Sequence, residues 1–376
     1  MPPNPRVWFV VNMTKRDLER ESLLRREYLR RAGAMGGVAA GIATAGCMGG
    51  GGGDGKPSNL RLGTWGGTWQ ELMIEAVVNP FEEDNDITVQ YSLGDNTDRM
   101  SQIIAQSDDP PVDVSQQDGA GLVRGSTEDI WMDLDGDLVP TYPDIPDNFK
   151  SEDWVLQIFA ASALLYNTNE FSEAPTSWDA YLNSDLQGKV GLFTEDPTHD
   201  ILAFSLAQSD GESFKEEDAA FEMYEEIVAE MDPVYITSSE EYGQVFKQEE
   251  VLLGRYWSAR AAQWNSEGTP VTSAIPDAGA MTTNFGNGIP KNIPENRVEW
   301  AGKFIDYTLR NNAARVIASN MYYTNPNPNA EYPDDVEEKL VQAEDLENLN
   351  VPDFDWIAER RSDWRERANA IIDEYS

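Results

Sequence analysis

Histidine-centred catalysis in this chain would rest on a single residue, because His199 is its only histidine. Cys47 is likewise the only cysteine, which excludes a disulfide framework, a cysteine metal cluster and a multi-histidine zinc site. No Walker sequence, G-x-S-x-G elbow or H-E-x-x-H helix occurs. The 67 Asp and Glu residues supply many carboxylate pairs of the kind a glycosidase uses, and no spacing singles one out. Asp133-Leu134-Asp135-Gly136-Asp137 lacks the closing Glu of an EF-hand loop and reads as a turn cap, with weak calcium binding as the alternative. What gathers instead is aromatic residues beside small polar ones. These runs are Trp65-Gly66-Gly67-Thr68, Arg255-Tyr256-Trp257-Ser258-Ala259-Arg260 and Met321-Tyr322-Tyr323. Rings flanked by such residues suit a cleft for a small ligand.

The elements that must carry these runs alternate between strand and helix. Leu60, Leu62 and Thr64 alternate as a strand that stops at Gly66-Gly67, and apolar residues at helical spacing follow over 68–81. Ile87, Val89 and Tyr91 mark a second strand, Met100, Ile103 and Ile104 a helix, and Val112–Ser115 a third strand. This is a parallel βαβαβ unit, whose ligands bind beyond the carboxyl ends of the strands. Those ends are Trp65–Thr68, Ser92–Asn96 and Gln116–Ala120, which puts Ser92 and Asp118 among the candidate contacts. A second α/β region has strands near 159–166, 189–193 and 251–257. Its expected helices begin at a Thr176/Asp179 capping box and at a cap formed by Ser213 and Glu216. Residues 296–319 and 355–375 read as two amphipathic helices, the second turning Trp356, Ile357, Trp364, Ile371 and Ile372 inward. No internal repeat is evident, which argues against a structural cell-surface array.

The amino-terminal segment reads as an export signal, and its residues are excluded from fold reasoning. Arg25-Arg26-Glu27-Tyr28-Leu29-Arg30 resembles the twin-arginine motif, and a Gly/Ala-rich stretch too short to span a bilayer follows it. Thr44-Ala45-Gly46-Cys47 then resembles a lipobox, with Thr44 in place of the usual aliphatic residue. A lipid on Cys47 would hold the domain at a membrane without spanning it, and Gly49–Gly53 opens a flexible tether. The alternative is an ordinary signal peptide followed by an incidental free cysteine. Met13 offers a more conventional start than Met1.

A formal net charge of −39 is the extreme of the composition. Carboxylates spread over the whole chain, with nine Lys among 28 basic residues, fit a surface kept hydrated in concentrated salt better than an acidic site for a cation. A nucleic-acid partner is excluded by repulsion.

From Leu60 to Glu338 the chain resembles the periplasmic solute-binding proteins of the spermidine/putrescine type, which serve ABC importers. The motifs are Leu62-Gly63-Thr64-Trp65-Gly66-Gly67, Leu165-Tyr166-Asn167-Thr168, and Pro175-Thr176-Ser177-Trp178 leading to Leu186-Gln187-Gly188-Lys189-Val190. Ile275-Pro276-Asp277-Ala278-Gly279-Ala280, Ile289-Pro290-Lys291 and Tyr323-Thr324-Asn325-Pro326-Asn327 follow in order. The resemblance implies an α/β fold of two lobes, each a sheet flanked by helices, that close over a ligand by a hinge. It implies a signal over 1–46, a tether over 47–58, one lobe from 59–158 and 272–325, and the other from 159–271 and 326–376. It implies a monomer without cofactor or metal, partnered by a small solute and a membrane ABC permease.

For the ligand, the resemblance retains Trp65 and Trp257 as family aromatics but loses most of the acids. Arg260 stands where polyamine binders often carry Asp, and Phe285, next to Asn284, where another acid is expected. Asp196 remains, with His199 as its partner position. His199 is either an exposed loop residue or a ligand contact. Arg260 is either a surface residue or the fork that binds an anion. The ligand is therefore spermidine or putrescine, or an anionic or zwitterionic solute. The alternative function is a secreted carbohydrate-active enzyme with a carboxylate pair.

Overall fold

A computed structural model of the chain describes residues 55–342, 345 and 348–375. Arg25, Arg26 and Cys47 lie outside the described residues. The chain runs through β1 (Asn59–Thr64), α1 (Thr68–Met73), a π-helical turn (Ile74–Val78), α2 (Asn79–Asn85), β2 (Thr88–Leu93), α3 (Asn96–Ala105), β3 (Val114–Asp118) and α4 (Gly119–Thr127). Strand β1 pairs in parallel with both β2 and β3, the βαβαβ unit expected from the alternation. The helix expected over 68–81 is broken into three pieces. Pro80 has no N–H to return to the preceding turn, and the backbone widens to a π turn just before it.

The rest comprises β4 (Lys150–Ser151), β5 (Trp154–Asn167), β6 (Val190–Phe193), α5 (Thr198–Gln208), α6 (Glu217–Met231), β7 (Val234–Ile236), α7 (Ser239–Lys247), β8 (Leu253–Trp257) and α8 (Ser258–Ser266). It continues with β9 (Val271–Ala274), β10 (Ala280–Gly288), α9 (Glu295–Thr308), α10 (Asn311–Met321), α11 (Asp334–Glu337), β11 (Leu349–Asn350) and α12 (Phe354–Tyr375). The strands follow the order β2-β1-β3-β10-β5-β8-β6-β7. Strand β5 is the spine of this order. Its first part lies antiparallel to β10, and its last part lies between β8 and β9. It is a mostly apolar run rather than an alternating one, buried from Val155 to Leu165, with Gln157 and Ser162 as the polar residues of that stretch.

Several local expectations are corrected. No helix starts from a Thr176/Asp179 box; Ser177 caps a short 3₁₀ helix, Trp178–Leu182, by accepting from the Asp179 N–H at 3.1 Å. Ser213 caps no α-helix either. Its hydroxyl accepts from Lys215 N–H at 2.9 Å, and the helix begins at Glu217, after Glu216 N–H has turned to Ser205 Oγ at 2.8 Å. The span 296–319 divides into α9 and α10 around Leu309 and Arg310. Asp135 does cap a turn, accepting from the N–H groups of Asp137 and Leu138 at 3.0 and 2.9 Å. In α12, Ile357, Trp364 and Ile371 are buried, with Trp356 and Ile372 packed at the edge of the core. Among the described residues no helix is long and apolar enough to cross a membrane.

Helix α5 is locked to β8 by an ion pair sealed from water. Arg255 Nε donates to Asp200 Oδ1 at 2.8 Å, and both side chains are 1% exposed. Asp200 holds the Arg255 guanidinium protonated, against the cost of its burial. Removing one partner of such a pair leaves an uncompensated charge in the core. Arg255→Met should therefore lower stability by about 3–5 kcal/mol in denaturant titrations, and adding Asp200→Leu should restore most of it. Equal losses in the single and double variants would contradict this account.

Candidate functional site

The first three strands converge on one arginine. Arg99 rises from α3, 4% exposed, and donates to the carbonyls of Thr64 at 3.1 Å, Gly94 at 2.9 Å and Gln116. These carbonyls lie at the end of β1, one residue past β2 and midway along β3, so one guanidinium ties the three strands together close to where a ligand would rest. Gly63 makes the room for it: a Cβ there would lie 2.5 Å from Arg99 Cδ. Burial lowers the Arg99 pKa to about 10, with Asp95 and Asp118 opposing that shift, and the group stays charged at neutral pH. The guanidinium also faces the Trp65 ring, 5.0 Å from its centroid.

Trp65 begins a line of half-buried rings. It meets Phe285 edge-on at 5.4 Å, and Phe285 meets Tyr323 edge-on at 6.1 Å. Trp69 supports the other flank of Trp65 at 6.1 Å. Below the rings lies a buried polar network. Trp69 Nε1 donates to Gln116 Oε1 at 3.0 Å, and Gln116 Nε2 donates to Gln157 Oε1 at 2.6 Å. Phe285 owes its position to an irregularity in β10, where the register to β5 shifts between Phe285 and Gly286. Only glycine fits next, since a Cβ on Gly286 would sit 2.4 Å from the Val155 carbonyl oxygen.

A second group forms at the end of β8. Trp257 packs edge-on against His199 at 4.7 Å, and Ser258 Oγ accepts from the Ala161 N–H of β5 at 3.0 Å. Arg260 follows in the first turn of α8, half-buried, donating to Gln263 Oε1 at 2.7 Å. Among the described residues it forms no salt bridge. Burial pushes the Tyr323 hydroxyl up, and the Arg260 charge pulls it the other way.

The expected acids are both engaged. Asp118 caps α4 by accepting from the Gly121 N–H at 2.8 Å. Asp196 accepts from the Thr198 N–H at 3.2 Å and forms an ion pair with Arg361 of α12. Burial opposes its ionisation, but those two partners win and hold its carboxyl below the ordinary range. Gly66, Gly67 and Thr68 are exposed beside Trp65, and Ser92 is half-buried at the end of β2. Asn284 points inward, its Nδ2 donating to Thr282 Oγ1 at 2.9 Å. Tyr322 turns away from the rings to pack near Ala318, Val336 and Leu340. Its left-handed backbone, φ 56°, ends α10 and reverses the chain, so that Tyr323 is the residue presented to Phe285. Arg99, Trp69 and Arg361 were missed from sequence. Each sits on a helix whose facing strand or loop no local pattern reveals.

His199 is no exposed loop residue; it lies in the first turn of α5 with its ring shut against Trp257. Burial, reinforced by Arg255 and Arg361 and opposed by Asp196, lowers its pKa to about 3.

Residues 76–343 match the family described as bacterial extracellular solute-binding protein. The chain belongs to that family. A spermidine/putrescine-binding periplasmic protein of Escherichia coli is 24% identical over 327 residues, covering 82% of this chain and 88% of its own. The open, unliganded form of the binding protein AttC from Agrobacterium tumefaciens superposes with a TM-score of 0.68 at 23% identity, covering 84% of this chain and 99% of its own. A GABA receptor superposes with a TM-score of 0.65 at 19% identity, covering 84% and 97%. The protein is thus an extracellular solute-binding protein with the two-lobed α/β fold of its structural neighbours, a binding protein rather than an enzyme.

The half-buried ring of His199 gives a clean pH test. The folded His199 pKa of about 3 lies below the ordinary 6.5, so its contribution to stability is complete above pH 6.5 and is lost as pH falls towards 3. As the chain's only histidine, it can be followed by NMR without ambiguity. Its imidazole signals should stay those of the neutral ring down to about pH 4; a midpoint near 6.5 in the folded protein would refute the assignment.

Proposed function

We propose that this receptor captures an anionic or zwitterionic organic solute, with Arg260 as the fork for its carboxylate. The observation that carries this reading is an imbalance of partners. Arg260 has no carboxylate partner among the described residues, whereas Asp118 caps a helix and Asp196 is neutralised by Arg361. A diamine needs free acids and is repelled by an arginine, while a carboxylate finds a bidentate donor. The relatives bracket the choice: the Escherichia coli protein is named for spermidine and putrescine, the structural neighbour for GABA. The methylene part of such a solute would lie along Trp65, Phe285 and Tyr323, with Trp257 across the site.

Closure would turn on the crossing segments. Strand β5 passes from its β10 to its β8 partnership near Ser162, and Thr324 bridges Phe159 by paired backbone bonds of 2.9 Å. These positions support lobes of 59–158 with 272–325 and of 159–271 with 326–376. A ligand that prefers the closed form then shifts the population towards it. The receptor works as a monomer in concentrated salt, exported by the Arg25-Arg26 signal and anchored through Cys47.

Calorimetry in concentrated salt decides the ligand class. A small aminocarboxylate should bind and spermidine should not, with Arg260→Ala weakening the carboxylate at least tenfold, about 1.4 kcal/mol. At a hundred times its Kd the true ligand should add about 2.7 kcal/mol of stability. Tight spermidine binding indifferent to Arg260→Ala would sink the reading. For the anchor, Cys47→Ser should move the protein from the membrane fraction to the medium; unchanged membrane retention would remove Cys47 from that role.

A further inference from the structure

The match to the family ends at residue 343, and α12 begins beyond it. This helix is clamped onto the second α/β region. Trp364 and Ala368 are each 1% exposed, Arg367 pairs with Asp218 at 3.0 Å, Arg360 with Glu217 at 3.5 Å, and Lys215 reaches back to Asp353 at 2.8 Å. From this seat two successive turns send arginines into the loop that precedes α5. Arg365 donates to the Glu195 carbonyl, and Arg361 to Asp196 Oδ2. Asp196 is 14% exposed and Arg361 59%, so the arginine covers the solvent side of the carboxylate. The same loop leads directly into His199, whose ring packs on Trp257.

We propose that Arg361 is a specificity-determining residue: an internal cation, delivered by the carboxyl-terminal helix, that occupies Asp196 and bars amine ligands from that side of the site. The inference rests on the reading that the solute carries a carboxylate. An incoming ammonium must displace a guanidinium already held in place by the clamped helix, so it meets both a lost ion pair and a residual positive charge. The device suits a salty medium. At about 1 M salt fields between separated charges fade within about 3 Å, so a contact pair discriminates where long-range repulsion cannot. It also accounts for an acid being retained at a position where the bound solute has no cation for it.

The test compares Arg361→Ala and Arg361→Gln with the unmodified chain, using calorimetry with spermidine and with 4-aminobutyrate. Arg361→Ala combined with Asp196→Asn, and Arg367→Ala alone, serve as controls. Either Arg361 variant should bind spermidine at least tenfold more tightly than the unmodified chain, and neither control should show that gain. A ligand-free readout accompanies it. The His199 imidazole should titrate at higher pH in both single Arg361 variants, because Arg361 opposes its protonation and Asp196 favours it. Spermidine affinity within twofold of the unmodified protein in both variants, with helix content intact, would overturn the proposal. So would an equal gain in Arg367→Ala, which would indicate general loosening of α12. Failure of the carboxylate reading would show differently, as tight spermidine binding by the unmodified chain.

Discussion

The ladder along β5 is the constraint on which the rest of the structure depends. Its 14 residues have to satisfy partners on both sides at once: β10, which ties it to the parallel unit of β1, β2 and β3, and then β8 and β9. A strand buried on both faces cannot slip by a residue without stranding apolar side chains and unpairing backbone donors. Everything that could meet a ligand hangs from that register. Phe285 lies opposite Ile158, and Trp257 opposite Ser162.

Basic residues are scarce here, and their placement explains more than their number. Arg255 is spent inside the core on Asp200, Arg99 on the carbonyls of Thr64, Gly94 and Gln116, and Arg61 and Arg297 share the fully buried Asp113 at 2.6 Å each. Buried charges and carbonyls that lacked these partners would each cost several times what a surface pair contributes. The surplus of carboxylates is left to the surface. In such a chain an arginine at the site without an acid beside it carries information, and Arg260 is that residue.

Much of the fold was legible from periodicity. The alternation of β1, the inward face of α12 and the parallel βαβαβ unit follow from burial acting on local pattern. The boundaries that failed did so for local reasons with non-local winners. Ser213 was free to cap a helix, but Glu216 found Ser205 across the fold. Pro80 interrupted a pattern that was otherwise continuous. For the site, Trp65 and Trp257 could be named from strand ends followed by glycine or serine. Tyr322 and Tyr323 could not be told apart, because the reversal that separates them is a backbone conformation and leaves no mark in composition.

The sequence by itself determined the class of protein, its acidic composition and the loops where a ligand could sit. These depend on residue types at short range, where pattern and physics coincide. Only the tertiary structure decided which groups in those loops are free. Asp196 reads as an available acid until α12, more than 150 residues later, brings Arg361 against it. His199 reads as a loop residue until Trp257 covers it. The charge that a site presents is a sum over neighbours, and those neighbours are assigned by packing rather than by spacing along the chain.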